Sequence, residues 1–244
     1  PYHLMVVNRS DKQRAKGIAR RLETWFELKG RPFPWRNKSA TNFHKIVCEI
    51  LLQRTRAETV SSVYHDFFKT FPSWKKIANS STAKIEKHLK PLGLWKRRAK
   101  SLRALANALQ KNRGRFPDSR EEIDKLPAVG QYVGNSVELF IHGRPLPLLD
   151  VNMSRVIERY FRPRKLADIR HDPWLQALAK TIITLGGNPV KLNWSVLDLG
   201  GTICIPRSPR CNACPIRRGC SSFKMYSSSD LNKKRTSDDQ PKKK

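Results

Sequence analysis

The chain has 244 residues, enough for one large domain or two smaller ones, and carries 49 Lys and Arg against 20 Asp and Glu. Residues 221–244 hold seven basic and three acidic residues, so +25 of the formal charge of +29 belongs to residues 1–220, which favours a polyanionic partner such as nucleic acid. No apolar run approaches the roughly 20 residues of a membrane span, and we find neither a basic amphipathic helix nor a lipidation motif, which argues against a membrane partner.

Helical periodicity runs through almost the whole chain, without a convincing alternation of the β-strand type. We therefore predict an all-α fold. Glycine and proline residues punctuate the helices, for example Gly30 and Pro32 after the first helix and Gly143 before a later one. The tail at 221–244 is rich in Ser, Lys and Asp, and we predict that it is disordered. The predicted helices lie near residues 11–28, 42–54, 58–71, 73–79, 81–89, 94–110, 118–125, 131–141, 150–160, 172–185 and 192–199.

Residues 126–130, Leu-Pro-Ala-Val-Gly, predict a hairpin between two of these helices. The backbone N–H groups of Ala128, Val129 and Gly130 would lie at the N-terminus of the next helix, where the helix dipole favours a phosphate. An ordinary helix–helix turn is the alternative. The positive charge of the whole chain favours the phosphate site.

Asp150 follows an apolar run and opens a predicted helix. Aspartate is a common N-cap, so capping is one interpretation. Capping is compatible with catalysis, because a carboxylate that accepts hydrogen bonds from helix N–H groups stays ionised near neutral pH. Such a fixed anion is what a developing oxocarbenium ion on a sugar needs.

Glu49 and Tyr132 are two further polar residues in predicted helices. Glu49 lies in the most apolar helix, where a buried carboxylate needs a partner and could protonate a base or bind its edge. The alternative is an i,i+4 network with Lys45 and Gln53. Tyr132 comes two residues after the hairpin, and either packs with one end in water or lines a base pocket.

Four cysteines follow the last helix, separated by six, two and five residues: Cys204, Cys211, Cys214 and Cys220. This spacing can fold four thiolates around one inorganic centre within a short loop. A structural zinc site more often has two separated short-spaced pairs, and a [4Fe-4S] cube fits at least as well. Disulfides are disfavoured, because nothing at the N-terminus looks like a secretory signal. Iron–sulfur and zinc both stay open on spacing alone.

In combination, the hairpin, Asp150 and the cysteine loop resemble the helix–hairpin–helix DNA glycosylases of the endonuclease III and MutY superfamily. Within it, the chain is most similar to the archaeal-type thymine mismatch glycosylases, through residues 33–36, 49–55 and 150–161 and through Tyr132. The resemblance implies a two-lobed fold with a C-terminal [4Fe-4S] cluster loop. A six-helix lobe with the hairpin would span residues 39–145, and residues 11–38 and 146–220 would form the cluster lobe.

The resemblance also implies a monofunctional enzyme of base-excision repair that hydrolyses the N-glycosidic bond of thymine or uracil mispaired with guanine. Bifunctional lyases carry a lysine where this chain has Tyr132, so weak or no strand cleavage is expected. The first alternative is a MutY-like adenine glycosylase that lacks the C-terminal lesion-reading domain, for which we expect no room after the last cysteine. The second is a non-catalytic DNA-binding protein with a structural cluster.

By the same resemblance, a flipped nucleotide of double-stranded DNA with a mismatched or damaged base would enter a cleft between the lobes. Glu49 and Tyr132 would line the base pocket, and Asp150 would stabilise the oxocarbenium-like state. We expect a monomer and, if the source is a prokaryote, a cytoplasmic, nucleoid-associated protein.

The DNA-binding residues implied by the family lie outside that pocket. Gln53 and Arg54 would insert a wedge into the vacated stack, and Leu94 would be the opposing wedge. Arg207 and Arg210, on the cysteine loop, would reach backbone phosphates. The hairpin departs from the family at Ala128, which replaces the usual first glycine and would be strained at a positive φ.

Overall fold

The computed structural model describes residues 7–223, which form eleven α-helices joined by turns and short 3-10 segments. No β-strand occurs in this range, so the all-α prediction is confirmed. None of the helices described is long and apolar enough to cross a membrane. The predicted disordered tail lies outside the described residues from 224 onward, whereas residues 221–223 are helical.

The helices occur close to the predicted places. Their bounds are α1 Arg9–Lys29, α2 Asn42–Leu52, α3 Ala57–Thr70, α4 Trp74–Ala78, α5 Thr82–Leu89, α6 Trp95–Gln110, α7 Arg120–Asp124, α8 Gln131–Phe140, α9 Val151–Tyr160, α10 Pro173–Thr184 and α11 Pro189–Thr202.

The chain divides into two compact units. Of the described residues, 7–30 and 147–223 form the first unit, with α1 and α9–α11, and Arg31–Leu146 form the second, with α2–α8. The sequence placed residues 31–38 with the first unit, whereas the structure places them in the second. The reason is Trp35, which is fully buried, stacks on Phe33 with ring centroids 4.7 Å apart and contacts Tyr64.

In the first unit, α1 packs against α10 and α11, and α9 packs against α11. The N-cap of α1 is Asn8, whose Oδ1 accepts the N–H of Asp11 at 2.7 Å. Helix α9 buries an apolar stripe at helical spacing, and each buried aliphatic side chain contributes about 2 kcal/mol. That stripe consists of Met153, Val156, Ile157 and Tyr160.

The second unit, which is described in full, holds seven α-helices, one more than the six predicted for this lobe. All seven lie close to helices that the periodicity predicts, including the five-residue helices α4 and α7, so only the count implied by the resemblance is exceeded. Helix α7 begins at Arg120 rather than at residue 118, because Ser119 caps it and its Oγ accepts the N–H of Glu122 at 3.2 Å. Helix α2 packs against α8, and this contact positions the polar residues that follow.

Candidate active site

A carboxylate and a phenol meet inside the second unit. Glu49 lies on the buried face of α2 and is 2% exposed, although the other buried residues of α2 are apolar. Tyr132 lies in the first turn of α8, and its hydroxyl donates a hydrogen bond of 2.7 Å to Glu49 Oε2. Lys45, the alternative ion-pair partner suggested by the sequence, has its ammonium 5.8 Å from the centroid of the Phe140 ring. The structure thus brings together two of the three predicted catalytic residues.

Asp150, the third, lies in the first unit as the N-cap of α9, as the sequence predicts. Its Oδ1 accepts the N–H groups of Asn152 at 2.9 Å and Met153 at 2.8 Å, and its Oδ2 accepts Asn152 Nδ2 at 2.8 Å. Burial raises the pKa of Asp150, and the three hydrogen bonds and the charge of Arg155 oppose that rise without cancelling it. The half-buried carboxylate is therefore held in one orientation by donors from its own helix.

Asn152 and Arg155 are two site residues that the sequence analysis missed. Arg155 Nη2 donates to Asn152 Oδ1 at 2.9 Å and to the Gly200 carbonyl at 2.6 Å, and Arg155 Nε donates to the Cys204 carbonyl at 2.7 Å. A Cβ at Gly200 would lie 2.9 Å from the Asn152 backbone, so only glycine permits this close packing of α9 on α11. These contacts connect the orientation of Asp150 to the start of the cysteine loop.

The cysteine loop places its four predicted ligand residues around one cavity, which Arg159 also lines. All four are half-buried free thiols, and Arg159 Nη1 lies 3.6 Å from the Cys204 sulfur. Burial raises the pKa of the Cys214 thiol to about 11 and also raises the pKa of Cys220, so metal loading must release protons. Across residues 7–223, no group of three or more His, Cys, Asp and Glu side chains could hold a single metal ion.

The hairpin presents free backbone donors. Among the hydrogen bonds of residues 7–223, none uses the N–H of Ala128 or Gly130, whereas Val129 donates to the Leu126 carbonyl at 3.3 Å. Gly130 is the N-cap of α8 without a side-chain cap, so the positive end of the helix dipole is open. Ala128 has φ +63°, which is a left-handed conformation. The backbone strain expected for alanine at a positive φ is therefore present.

The three predicted wedge residues also lie in the second unit, on two loops that share a partner. Gln53 and Arg54 are exposed just after α2, and Leu94 is 56% exposed just before α6. Arg98 of α6 donates to the Gln53 carbonyl at 2.8 Å and to the Gly93 carbonyl at 3.0 Å. The sequence analysis missed Arg98, although it lies four residues before the buried Leu102 and therefore on the apolar stripe of α6.

Arg207 and Arg210 lie on the exposed stretch between the first two loop cysteines. The backbone N–H of Arg210 donates to the Ile203 carbonyl at 2.9 Å and anchors this stretch to the end of α11. Within the part of the chain that is described, neither guanidinium has a hydrogen bond or ion pair to protein, which leaves both available to an anion.

The chain is similar to known DNA repair proteins. Residues 47–171 match the HhH-GPD superfamily of base excision DNA repair proteins. The thymine-DNA glycosylase of Aeropyrum pernix is 35% identical over 214 residues, which cover 86% of this chain and 96% of that protein. The thymine/uracil-DNA glycosylase of Pyrobaculum aerophilum is 33% identical over 196 residues, covering 79% of this chain and 85% of that protein. The solved structure of a thermostable thymine-DNA glycosylase is 31% identical, with a TM-score of 0.79, and the match covers 87% of this chain and 98% of that one.

Proposed function

The chain belongs to the HhH-GPD superfamily of base excision DNA repair proteins, and we propose that it hydrolyses the N-glycosidic bond of thymine or uracil mispaired with guanine. DNA is the partner of this superfamily, and the formal charge of +29 suits a phosphate backbone. The names of two relatives, a thymine-DNA glycosylase and a thymine/uracil-DNA glycosylase, support the choice of base.

The observation that carries the proposal is the hydrogen bond between Tyr132 and Glu49. Lyases of this superfamily form a Schiff base between a lysine and the sugar, and the resemblance implies that Tyr132 stands in the place of that lysine. A phenol cannot form a Schiff base. The proposed reaction therefore ends at hydrolysis and leaves an abasic site, with weak or no strand cleavage.

Asp150 acts on the sugar. The bond between C1′ and the base nitrogen breaks, its electron pair leaves with the base, and positive charge develops on C1′ and the ring oxygen. The Asp150 carboxylate, held by Asn152 and Met153, stabilises this charge. Water then adds to C1′, and the proton that it loses neutralises the departed base anion. A hydrogen bond from this water to Asp150 orients the attack.

Glu49 and Tyr132 act on the base. Thymine and uracil share an N3–H donor flanked by two carbonyl oxygens, whereas adenine presents a different edge. A carboxylate accepts a hydrogen bond from N3–H, and a phenol donates to or accepts from a neighbouring group. Because Tyr132 holds Oε2 of Glu49 at 2.7 Å, the carboxylate has a fixed orientation for reading that edge.

Two further regions bind phosphate. The first is the hairpin, where the backbone N–H groups of Ala128 and Gly130 can each donate a hydrogen bond to a phosphate oxygen. The uncapped N-terminus of α8 adds the favourable end of the helix dipole. Arg207 and Arg210 supply charge on the cysteine loop. These contacts fix the register of the duplex without reading its sequence.

The cysteine loop is proposed to hold a [4Fe-4S] cluster. Zinc would need four sulfurs converging on one ion, whereas a cube binds each thiolate to a different iron. The four cysteines line one cavity, and their spacing, with one C-x-x-C pair between two flanking cysteines, suits the cube. When bound, the cluster would supply iron–thiolate bonds that fix the loop bearing Arg207 and Arg210. The Arg159 guanidinium, beside Cys204, would offset part of the negative charge of the thiolates.

Base release from defined duplexes tests the proposal. We expect single-turnover release from G:T and G:U pairs and none from A:T pairs, with strand breaks only after alkali. Asp150→Asn protein is the matched control for contaminating glycosylases. Release of adenine from G:A pairs with G:T and G:U left untouched would establish the MutY-like alternative. Tight duplex binding without release of any base would establish the non-catalytic one.

A further inference from the structure

We propose that Arg98 is a positioning residue that ties together the two loops bearing Gln53, Arg54 and Leu94, so that both enter the duplex as one rigid unit. This inference rests on the proposed function, because insertion into the stack matters only if a nucleotide is extruded. It concerns a side chain that does not itself reach DNA, since Arg98 is 7% exposed.

Every N–H of the Arg98 guanidinium has an acceptor. A guanidinium carries five N–H donors in a fixed plane, and the contacts of Arg98 account for all five. Each acceptor belongs to one of the two loops or to the end of α2. The acceptors are the carbonyls of Gly93 at 3.0 Å, Ile50 at 3.4 Å, Leu51 at 2.9 Å and Gln53 at 2.8 Å, and the hydroxyl of Thr55.

These acceptors explain how the protein tolerates a buried cation. All of them are neutral. The carbonyls of Ile50 and Leu51 belong to the last turn of α2, where carbonyl groups lack partners within the helix. The negative end of the helix dipole favours a positive charge there. Burial lowers the pKa of Arg98, and arginine nevertheless keeps its charge in proteins.

Strain at the loop tips is an independent observation. Arg54 has φ +58° and Leu94 has φ +50°, a left-handed conformation that costs free energy in residues other than glycine. Such conformations persist where the surrounding structure fixes them. Arg98 binds the carbonyl of Gln53, immediately before Arg54, and the carbonyl of Gly93, immediately before Leu94. One side chain therefore fixes the peptide that precedes each strained residue.

Lysine cannot replace this arrangement. It carries three donors on a single nitrogen, so it can bind one loop but cannot span both with a rigid fork. Arg98→Lys keeps the charge and separates the two loops, whereas Arg97→Lys, on the exposed neighbouring position of α6, makes the same chemical change without touching either loop.

The experiment measures base release and base extrusion separately. Single-turnover release from a G:T duplex reports the whole reaction. In the Asp150→Asn background, 2-aminopurine placed beside the mispaired thymine brightens when the thymine leaves the stack. We expect Arg98→Lys to slow release about tenfold, the effect of losing one or two hydrogen bonds, and to reduce the fluorescence rise. Arg97→Lys should stay within about twofold of the wild type for both.

A combination of substitutions distinguishes positioning from general stability. If Arg98 acts through the loops, Arg98→Lys should have little further effect once Gln53→Ala, Arg54→Ala and Leu94→Ala have removed the wedges. Thr55→Val, which removes one acceptor, is the second variant if Arg98→Lys does not fold. An unchanged fluorescence rise, or a loss of equal size with and without the wedges, would overturn the inference. If the wild type itself releases no base, the proposed function fails instead.

Discussion

The two carboxylates assigned to chemistry lie in opposite kinds of helical position. Asp150 precedes the first turn of α9, where its oxygens accept two backbone N–H groups and one side-chain amide. Glu49 lies in the body of α2, where every nearby N–H is already used by the helix, and the hydrogen-bond donor identified for it is Tyr132 of α8. One carboxylate depends on local structure and the other on tertiary packing.

This difference suits two tasks. A helix N-terminus supplies donors and a positive dipole whatever the rest of the fold does, so it can hold an anion against a developing cation. A carboxylate within a helix takes its orientation from its partner, so its position and that of Tyr132 are coupled. We therefore assign Asp150 to the sugar and the Glu49–Tyr132 pair to the choice of base.

The largest predicted effect is at the N-terminal carboxylate. Asp150→Asn removes the negative charge with almost no change in size, and the single-turnover rate of base release should fall about 10³-fold. Duplex affinity, measured by a binding titration, should stay within a few-fold of the wild type, because the phosphate contacts are untouched. A loss of less than tenfold would mean that Asp150 is only a helix cap.

The second prediction weakens the packed pair. Tyr132→Phe removes the hydrogen bond to Glu49, and the free energy of unfolding should fall by about 2 kcal/mol. Tyr64→Phe is the matched control, since no hydrogen bond of the Tyr64 hydroxyl occurs in the structure of residues 7–223. Equal losses in the two variants, measured by denaturant unfolding, would mean that the contact with Glu49 contributes nothing.

The third prediction concerns Asp150, the carboxylate that depends on local structure, and uses the pH dependence of the rate. Asn152→Ala removes one donor to the ionised Asp150, so the pKa of Asp150 should rise further. Since the ionised form stabilises the transition state, the acid limb of the rate profile should move to higher pH. Because the folded pKa of Asp150 already lies above its ordinary value, raising the pH through that range costs folding stability. If the acid limb of the rate profile does not move, it reports the titration of a group other than Asp150.

The smallest effect concerns the hairpin. Ala128→Gly relieves the positive φ, and the free energy of unfolding should rise by up to about 1 kcal/mol, reduced by the greater freedom of glycine in the unfolded chain. Ala104→Gly, within α6, is the control and should lower stability by about 1 kcal/mol. A loss of stability in both variants would contradict the strain at Ala128.

The sequence predicted well whatever depends on neighbouring residues. The helices, the cap at Asp150 and the order of the hairpin and cysteine loop follow from periodicity, capping preference and spacing. Residues 31–38 were assigned to the wrong unit, because the burial of Trp35 against Phe33 and Tyr64 involves partners that no local pattern specifies.

The missed site residues share that property. The position of Arg98 on the apolar stripe of α6 indicates that the side chain is buried, but it does not identify the hydrogen-bond acceptors. Two of these acceptors, the carbonyls of Leu51 and Gln53, lie more than forty residues earlier in the chain. Arg155 reaches Gly200 and Cys204 across a similar separation. The hydrogen bond between Glu49 and Tyr132 spans 83 residues, and the resemblance placed both residues in the base pocket without predicting a contact between them.

The ratio of thymine release to N3-methylthymine release, from otherwise identical duplexes opposite guanine, tests the division of labour between the two carboxylates most directly, because only thymine carries the N3–H whose hydrogen bond Glu49 is proposed to accept. Asp150→Asn should slow both reactions by the same factor and leave the ratio unchanged, because the sugar is common to both. Glu49→Gln should lower the preference for thymine, because it alters the contact with N3. A changed ratio in Asp150→Asn, or an unchanged ratio in Glu49→Gln, would contradict the account.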